Sequence, residues 1–550
     1  MTVMRYAFRF WRTIRHLRPV QLYGRLWYLL ARPRPDLASA PCIWSGSAIW
    51  QPPAYRAPSM TGPRVFRFLN EKGSLDAHGW DNPAKAKLWR YNQHYFDDLN
   101  AEGADSRGAW HQALITDWIA ANPPGQGSGW EPYPTSLRIV NWIKWALAGN
   151  TLNEAAQHSL AVQTRWLMRR LEWHLLGNHL FSNAKALIFA GFYFDGPEAA
   201  NWRKQAMAIL FRELPEQILP DGGHFELSPM YHALAVEDLA DIVNLMTAYG
   251  SRLSAAEQAL ARGCAARLPG MLRWLNIMSH PDGKISFFND AAFGVAPEND
   301  CLHAYAARLG ISVAPLAPGL TYLVDSGFAR MARGSIVVLC DVGRIGPDYL
   351  PGHAHADTLS FELSLGTERV IVNSGTSEYG TSAERLRQRG TSAHSTVQVG
   401  NEDSSEVWSG FRVAQRARVY AVEANETREA LILAARHDGY TRLPRGPHHS
   451  RSWQLTDTTL RVVDRLEPAA KGVARYYLPN GVIAEATSSD AGTLRLASGR
   501  VLRWYAAGAT ANVEDSTWHP RFGLSLPSQC LSLAFTGDLT FDLTFDPDFA

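Results

Sequence analysis

The sequence predicts an α+β multidomain chain, an all-helical part followed by an antiparallel all-β part. Three observations predict it. From about residue 81 to 309, apolar side chains recur at i, i+3 and i+4, the period of a helix with one buried face. Beyond Thr321 the period falls to two, in short β-branched runs broken by Gly, Asn, Asp and Pro. Between the two regimes APLAPGL (314–320) reads as a linker. At 550 residues, 46% hydrophobic and 19% charged, the chain has material for about two to four domains.

The elements follow in order. Residues 1–60 form a basic segment: Arg5, Arg9, Arg12, Arg15, Arg18, Arg25, Arg32 and Arg34 all precede the first acid, Asp36. Phe8, Trp11, Leu22, Leu26, Trp27 and Leu30 are interleaved with them. No apolar run approaches the ~20 residues that span a bilayer, and no secretory signal pattern is visible. The expected location is therefore cytoplasmic or inner-membrane-associated. Two readings fit the segment. One is an amphipathic stretch making peripheral contact with an anionic membrane. The other, preferred on sequence, is a helix wrapped on the domain with its Arg stems covering apolar surface.

Residues 61–317 make the helical domain. Asn153–Leu176 is read as a six-turn helix stopped by Gly177, followed by helices over Ala184–Tyr193, Ala199–Leu214, Met230–Tyr249 and Ala255–Met278. Short breaks between them predict antiparallel hairpins. Residues 318–550 supply strands at Gly334–Asp341, Thr358–Leu365, Arg369–Asn373, Thr396–Val399, Arg418–Glu423, Ala430–Ala435 and Thr459–Arg465. These suit a β-sandwich.

Composition excludes several functions. A net charge of +2 does not suit coating of nucleic acid, so no nucleic-acid partner is expected. Five scattered Cys without a CxxC pair give neither a disulfide framework nor a Cys-based zinc site. GxGxxG, P-loop, GxSxG and HExxH are all absent. The 19 Trp, 19 Tyr and 22 Phe are compatible with stacking on sugar rings as well as with core packing.

Four stretches concentrate polar groups against the pattern. In Gly177–Asn183, Asn178 suits a helix N-cap, while His179 and Asn183 are four apart and share a helix face. In Asp221–His232, Ser228-Pro229 starts a helix and sets Tyr231 in its first turn, where the dipole favours a phenolate. In Gly352–Phe361, an extended backbone would align His353, His355 and Asp357, a metal or acid/base signal. In Arg387–Thr396, His394 stands beside Arg387 and Arg389, two cations able to clamp a carboxylate.

In this order the motifs resemble the heparinase II/III family of polysaccharide lyases. The matching pieces are LWRYNQHYFDDL (88–99), GWEPYPTSLRIVNWIKW (129–145), GNHLFSN (177–183), DGGHFELSPMYH (221–232), PGHAHADTLSFEL (351–363) and TSAHSTVQV (391–399). The resemblance implies an incomplete (α/α) toroid followed by an antiparallel β-sandwich. It also implies β-elimination on a uronic-acid polymer, a glycosaminoglycan or a bacterial exopolysaccharide. Asn178, supported by His179, would neutralise the substrate carboxylate, and Tyr231 and His353 would move the protons. Trp89, Tyr91, His94, Tyr95, Trp130 and Tyr133 would line sugar subsites, with Asn183, His224 and Glu226 beside them. Arg138, Arg344, Arg387 and Arg389 would meet carboxylate or sulfate. Some relatives hold a structural metal, usually zinc, through His, Asp and His; the matching positions are His355, Asn373 and His394. Asn373 departs from that set, because a neutral amide is a poor zinc ligand, and Asp357 is the alternative donor.

Two rivals stand beside the lyase. A hydrolase would need two carboxylates roughly 6.5–9.5 Å apart, with Asp221 and Glu226 as the pair. A non-catalytic polysaccharide-binding or export protein would keep the cleft without turnover. The sequence sets no oligomeric state.

Overall fold

The computed structural model describes residues 2–46 and 49–546. Its first part is a helical toroid whose helices are Gly108–Ala121, Pro132–Leu147, Glu154–Met168, Gly177–Tyr193, Gly196–Gln217, Pro229–Ala248, Ala255–Ile277 and Asn299–Arg308. Their starts are chemically marked. Asn153, Ser228 and Ser254 each accept a backbone N–H from the first turn, and Pro132 and Pro229 occupy the first helical position. Gly177–Tyr193 is buried on nearly every side from Leu180 onward and packs against Gly196–Gln217, the neighbour it reaches through a short turn.

Two details differ from the sequence reading. Gly177 opens a helix rather than closing one, because the preceding helix ends at Met168 and residues 169–176 run as turns. A three-stranded antiparallel sheet, Met60–Gly62, Val65–Phe68 and Glu71–Ser74, precedes the toroid helices. Gly73 is required there, since a Cβ would stand 2.3 Å from the Trp89 ring.

The β part has two layers. Gly319–Leu323, Phe328–Arg333, Ile336–Asp341, Phe361–Leu365 and Glu368–Ile371 form a five-stranded antiparallel meander. A ten-stranded sheet built from Val397–Val399 and from strands between Val419 and Thr544 stacks on it. Strands of the larger sheet alternate buried and open residues, as in Leu431–His437 and His448–Leu455. The meander strands Ile336–Asp341 and Phe361–Leu365 are buried on both faces. Val337 and Leu339 pack with Trp274 and Met278 of the toroid, while Ile336, Val338 and Cys340 pack with Leu433 and Trp453 of the larger sheet. Alternation along one strand thus joins the two parts.

This layering positions one loop. Residues 342–360 connect two central meander strands and lie at the junction with the toroid; they form turns, and the strand begins only at Phe361. Arg451, on an inward position of His448–Leu455, forks onto Asp464 at 2.7 and 3.0 Å and donates to the Leu359 and Ser395 carbonyls at 2.8 Å. The 342–360 loop is thereby tied to the larger sheet.

The N-terminal segment does not wrap the domain as preferred on sequence. Thr2–Ile14 and Pro19–Leu30 are helices whose large apolar side chains are mostly exposed. The Arg5 side chain lies outside the described residues.

Removing one member of the buried Arg451–Asp464 pair leaves an uncompensated charge. Arg451→Ala is expected to destabilise the chain by about 3–5 kcal/mol in urea unfolding. A loss below about 1 kcal/mol would show that the tie carries little.

Candidate active site

Tyr231 enters the site from the first turn of Pro229–Ala248. The Ser228 hydroxyl accepts the Tyr231 N–H at 3.2 Å, and Ser228 Oγ itself donates to the Asp290 carbonyl. His232, next in sequence, turns back into the toroid: its Nδ1 accepts the His224 N–H and its Nε2 meets the Met271 carbonyl. Tyr231 is left facing the cavity, its hydroxyl 3.0 Å from that of Tyr379.

His353 arrives from the junction loop and lies on the Tyr231 ring, with centroids 3.9 Å apart and planes 31° apart. Its Nδ1 is 2.9 Å from Asp290 Oδ2, and Asp290 Oδ1 is 2.8 Å from His355 Nε2. Arg385 forks onto the same carboxylate, Nη2 to Oδ2 at 2.8 Å. Burial alone would raise the Asp290 pKa; the Arg385 guanidinium and the two imidazoles outweigh it and hold the carboxyl well below its usual range. With Asp290 ionised and able only to accept, the proton of this contact lies on His353 Nδ1. The loop is also zipped on by backbone: Asp290 N–H donates to the His353 carbonyl, and His355 N–H to Asn289 Oδ1. Asn289 itself turns through a left-handed φ of 57°.

The second half of the site comes from Gly177–Tyr193. A Cβ on Gly177 would meet Leu350 and stand 2.8 Å from Glu226 Oε1, so only glycine fits. Asn178 donates its backbone N–H to that oxygen at 3.4 Å, while its side-chain amide has no protein partner among the described residues and lines the cavity. His179 stacks on Tyr133, centroids 4.6 Å apart, and its Nδ1 is 3.1 Å from Glu172 Oε1. Burial lowers the His179 pKa, but the Glu172 carboxylate more than compensates, and the net direction is upward. Asn183 is a support rather than a substrate contact: it is buried, accepts the Glu172 N–H and donates to Glu172 Oε2.

Glu226 sits behind Asn178 and His353, with Oε2 3.6 Å from His353 Nε2 and without a hydrogen bond of its own. Burial raises its pKa. Two carboxyl groups of opposite tendency therefore flank His353: Asp290, held ionised, and Glu226, pushed toward the neutral form. Tyr231 also corrects expectation. Burial, then Tyr379 and Asp290, raise its pKa well above 10, so the helix dipole does not stabilise a phenolate in this environment.

The cavity has a volume of about 740 Å³, with Tyr95, Tyr133, Asn178, His224, Tyr231 and Tyr379 in its wall. His224 is buried and lowered to about 3 by desolvation, hence neutral. Of the cavity cations, Arg56, Lys144 and Lys185 are committed to Glu237, Asp238 and Asp241. Arg67 and Arg521 are exposed and have no side-chain partner among the described residues.

Several predicted contacts lie elsewhere. Trp89, His94, Trp130 and Arg138 are core: the Trp89 indole donates to the Glu71 carbonyl, His94 accepts the Trp118 indole N–H, and Trp130 donates to the Asn122 carbonyl. Arg138 bonds Gln163 and lies 3.8 Å over the Trp118 ring. Tyr91 bonds Glu131. On the Lys87–Tyr95 helix the cavity face is Leu88, Asn92 and Tyr95. Arg344 is exposed away from the cavity, and Arg387 pairs with Glu384. Arg389 is buried on the Ala354 carbonyl, where it braces the loop carrying His353. Asp221 spends its carboxylate on Ser326 and Gly223, so it forms no carboxylate pair with Glu226 across the cavity.

The residues matched to a metal do not fit one. His355 Nδ1 is 3.2 Å from His394 Nε2, and burial lowers the two imidazoles to about 4 and about 3. Asn373 gives Oδ1 to the Ser395 N–H and Nδ2 to Ser360 Oγ. Asp357 accepts the Asn289 N–H. Among the described residues no three His, Cys, Asp or Glu side chains are arranged to hold a metal ion.

The sequence reading missed Asp290, Arg385, Tyr379 and Glu172. Arg385 and Arg389 are four apart and share the inward face of Ala383–Arg389, a spacing that marks them over Arg387. Asn289-Asp290 after an apolar pair is a turn signal; Glu172 has none.

Comparison with known proteins covers both parts of the chain. Residues 105–306 match the heparinase II/III N-terminus and 316–544 the heparinase II/III-like C-terminal region. A heparin-sulfate lyase of Bacteroides stercoris is 27% identical over 330 residues, 56% of this chain and 46% of that protein. The chain thus matches about half the length of that relative. FtsZ-localized protein C of Caulobacter vibrioides is 28% identical over 437 residues, 74% of this chain and 71% of that protein. Among solved structures, heparinase III superposes with a TM-score of 0.64 at 16% identity, covering 85% of this chain and 77% of that one. Heparan sulfate lyase HepC from Pedobacter heparinus gives 0.54 at 18%, covering 96% and 88%. The structural likenesses establish the toroid-plus-sandwich fold.

The Glu172–His179 contact sets the sign of one test. In Glu172→Gln the raising charge is gone and burial dominates, so the His179 midpoint in an NMR titration is expected to fall. An unchanged or higher midpoint would contradict the assignment.

Proposed function

The chain belongs to the heparinase II/III family, and on that premise we propose that it cleaves a uronic-acid-containing polysaccharide by β-elimination. One observation carries the reading: His353, oriented by ionised Asp290, lies on Tyr231, and Tyr231 shares a cavity wall with the unpartnered amide of Asn178.

The chemistry needs three parts. The C5 proton of a uronate becomes removable only if its carboxylate can take on negative charge. The Asn178 amide suits that oxygen pair, with His179, whose pKa Glu172 raises, beside it. His353 Nε2, the ring nitrogen not engaged by Asp290, suits the base that takes the C5 proton. The C–H electron pair becomes the C4–C5 double bond as the C4–O4 bond breaks. Tyr231, kept protonated by burial, suits the acid that gives its proton to the departing O4. Tyr95, Tyr133 and Tyr379 offer ring faces for sugars, and Arg67 and Arg521 are the cavity cations still available to a carboxylate or sulfate.

A second reading is supported by one specific finding. FtsZ-localized protein C aligns over 74% of this chain and does not carry a lyase name. A polysaccharide-binding protein without turnover would use the same cavity.

A panel of heparan, chondroitin, alginate and bacterial exopolysaccharides, followed by ultraviolet absorbance of the unsaturated product, separates the two. Wild type is expected to give a rise on at least one polymer, and Tyr231→Phe to lower kcat by about 10²–10⁴ with KM little changed. Binding that is equal in both proteins, with no absorbance rise in either, would replace the lyase by the binding reading.

A further inference from the structure

Both N-terminal helices are mounted with their apolar sides outward. A helix that merely covers a domain turns its apolar stripe to the core. In Thr2–Ile14 the polar stripe faces the protein instead: Arg9 and Arg12 reach Glu406 at 3.6 and 3.4 Å, and the Trp408 indole donates to Thr13 Oγ1 at 3.0 Å. Phe8, Phe10 and Trp11 are left open, Trp11 with 59% of its surface exposed.

Pro19–Leu30 repeats the arrangement. It touches the toroid along Gln21, Gly24 and Tyr28, spaced i, i+3, i+7. Gln21 donates to the Tyr349 carbonyl, and Gly24 lies so close to the backbone at 173–174 that a Cβ would be 3.3 Å from His174 N. Tyr28 stacks on His174. The opposite face is Leu22, Tyr23, Leu26, Trp27, Leu29 and Leu30, with Trp27 69% and Leu30 70% exposed. Twelve of the twenty-one large apolar side chains exposed among the described residues fall before residue 50, so this is a built patch rather than scatter.

Its charge identifies the partner. No acid precedes Asp36. Arg9, Arg12 and Arg18 are engaged by Glu406 and Glu216, but Arg25 and Arg32 have no side-chain partner among the described residues. A groove of about 730 Å³ runs beside the second helix, between Leu26, Trp27 and Leu30 on one side and Arg169, Arg170 and Trp173 on the other. Apolar and cationic walls together match the boundary between acyl chains and anionic headgroups, where Trp and Tyr also concentrate. A second copy is a poorer occupant, because the acids nearby are already taken: Glu213 by Arg212, Glu216 by Arg18 and Asp36 by Arg169, which leaves Arg25 and Arg32 unanswered in a symmetric contact. Crossing the bilayer is not at issue: among the described residues no helix is long and apolar enough.

We propose that this face seats the protein on an anionic lipid bilayer, with the two helices lying in the headgroup plane. The inference is independent of the lyase reading. It is tested on the full chain by cosedimentation with vesicles of phosphatidylcholine alone or with about one-third phosphatidylglycerol. Wild type is expected to bind the anionic vesicles in preference, and less so as salt is raised. Leu26→Glu with Trp27→Glu should cut the bound fraction about tenfold or more. Arg25→Glu with Arg32→Glu should remove the preference for phosphatidylglycerol. All four side chains are exposed, so an unchanged thermal midpoint checks that each variant is folded. No vesicle binding by wild type, equal binding to both vesicles, or binding indifferent to the Leu26/Trp27 change would overturn the proposal. So would a change of mass in light scattering that leaves vesicle binding intact, since the face would then be a contact between copies.

Discussion

The buried carboxylate of Asp290 is the constraint on which the site depends. Moving such a charge out of water costs several kcal/mol, and it persists only because Arg385 forks onto it while two imidazoles share its oxygens. The same contacts join three elements: the 289–290 turn after the toroid's long helices, the 342–360 loop of the meander, and the Ala383–Arg389 helix. A charge compensated from three directions holds the ring of His353 in place.

The supports around it extend the same logic. Arg389 holds the Ala354 carbonyl and Arg451 holds the Leu359 carbonyl from the larger sheet, so the 353–359 stretch that carries the histidines hangs on two buried arginines. On the toroid side, Asn183 holds Glu172 and Glu172 holds His179. The groups assigned to chemistry are thus each backed by a buried polar partner, while the Asn178 amide and the Tyr231 hydroxyl look into the cavity. The cavity wall is not strongly cationic, because Glu237, Asp238 and Asp241 neutralise its lysines. Recognition of an acidic polymer would rest on few charges, chiefly Arg67 and Arg521.

The helix-then-strand division was legible because hydrophobic period is a local property, and the double burial of the meander strands appears as the continuous run IVVLC. Tyr231, His353, Asn178 and His179 were singled out through ordered motifs, and the fold stacks His353 on Tyr231 and sets Asn178 in the same cavity wall as Tyr231. Trp89, Tyr91, His94 and Trp130 were misplaced, while Tyr95 and Tyr133 do line the cavity, because composition does not distinguish faces: Trp89 and Tyr95 lie on one helix, yet only Tyr95 reaches the cavity. The arginine reading failed for a similar reason. A carboxylate clamp does exist beside His394, but it is Arg385 on the protein's own Asp290. The outward apolar face of the N-terminal helices was also beyond sequence, since an amphipathic stripe reads the same whichever side meets the protein.

The central claim is elimination at a site built on Asp290, and running the reaction in ¹⁸O-labelled water with mass analysis of the products tests it most directly. Elimination breaks the C4–O4 bond without water entering, so the account predicts unsaturated products without the heavy isotope. Saturated products carrying one ¹⁸O at the new reducing end would contradict it.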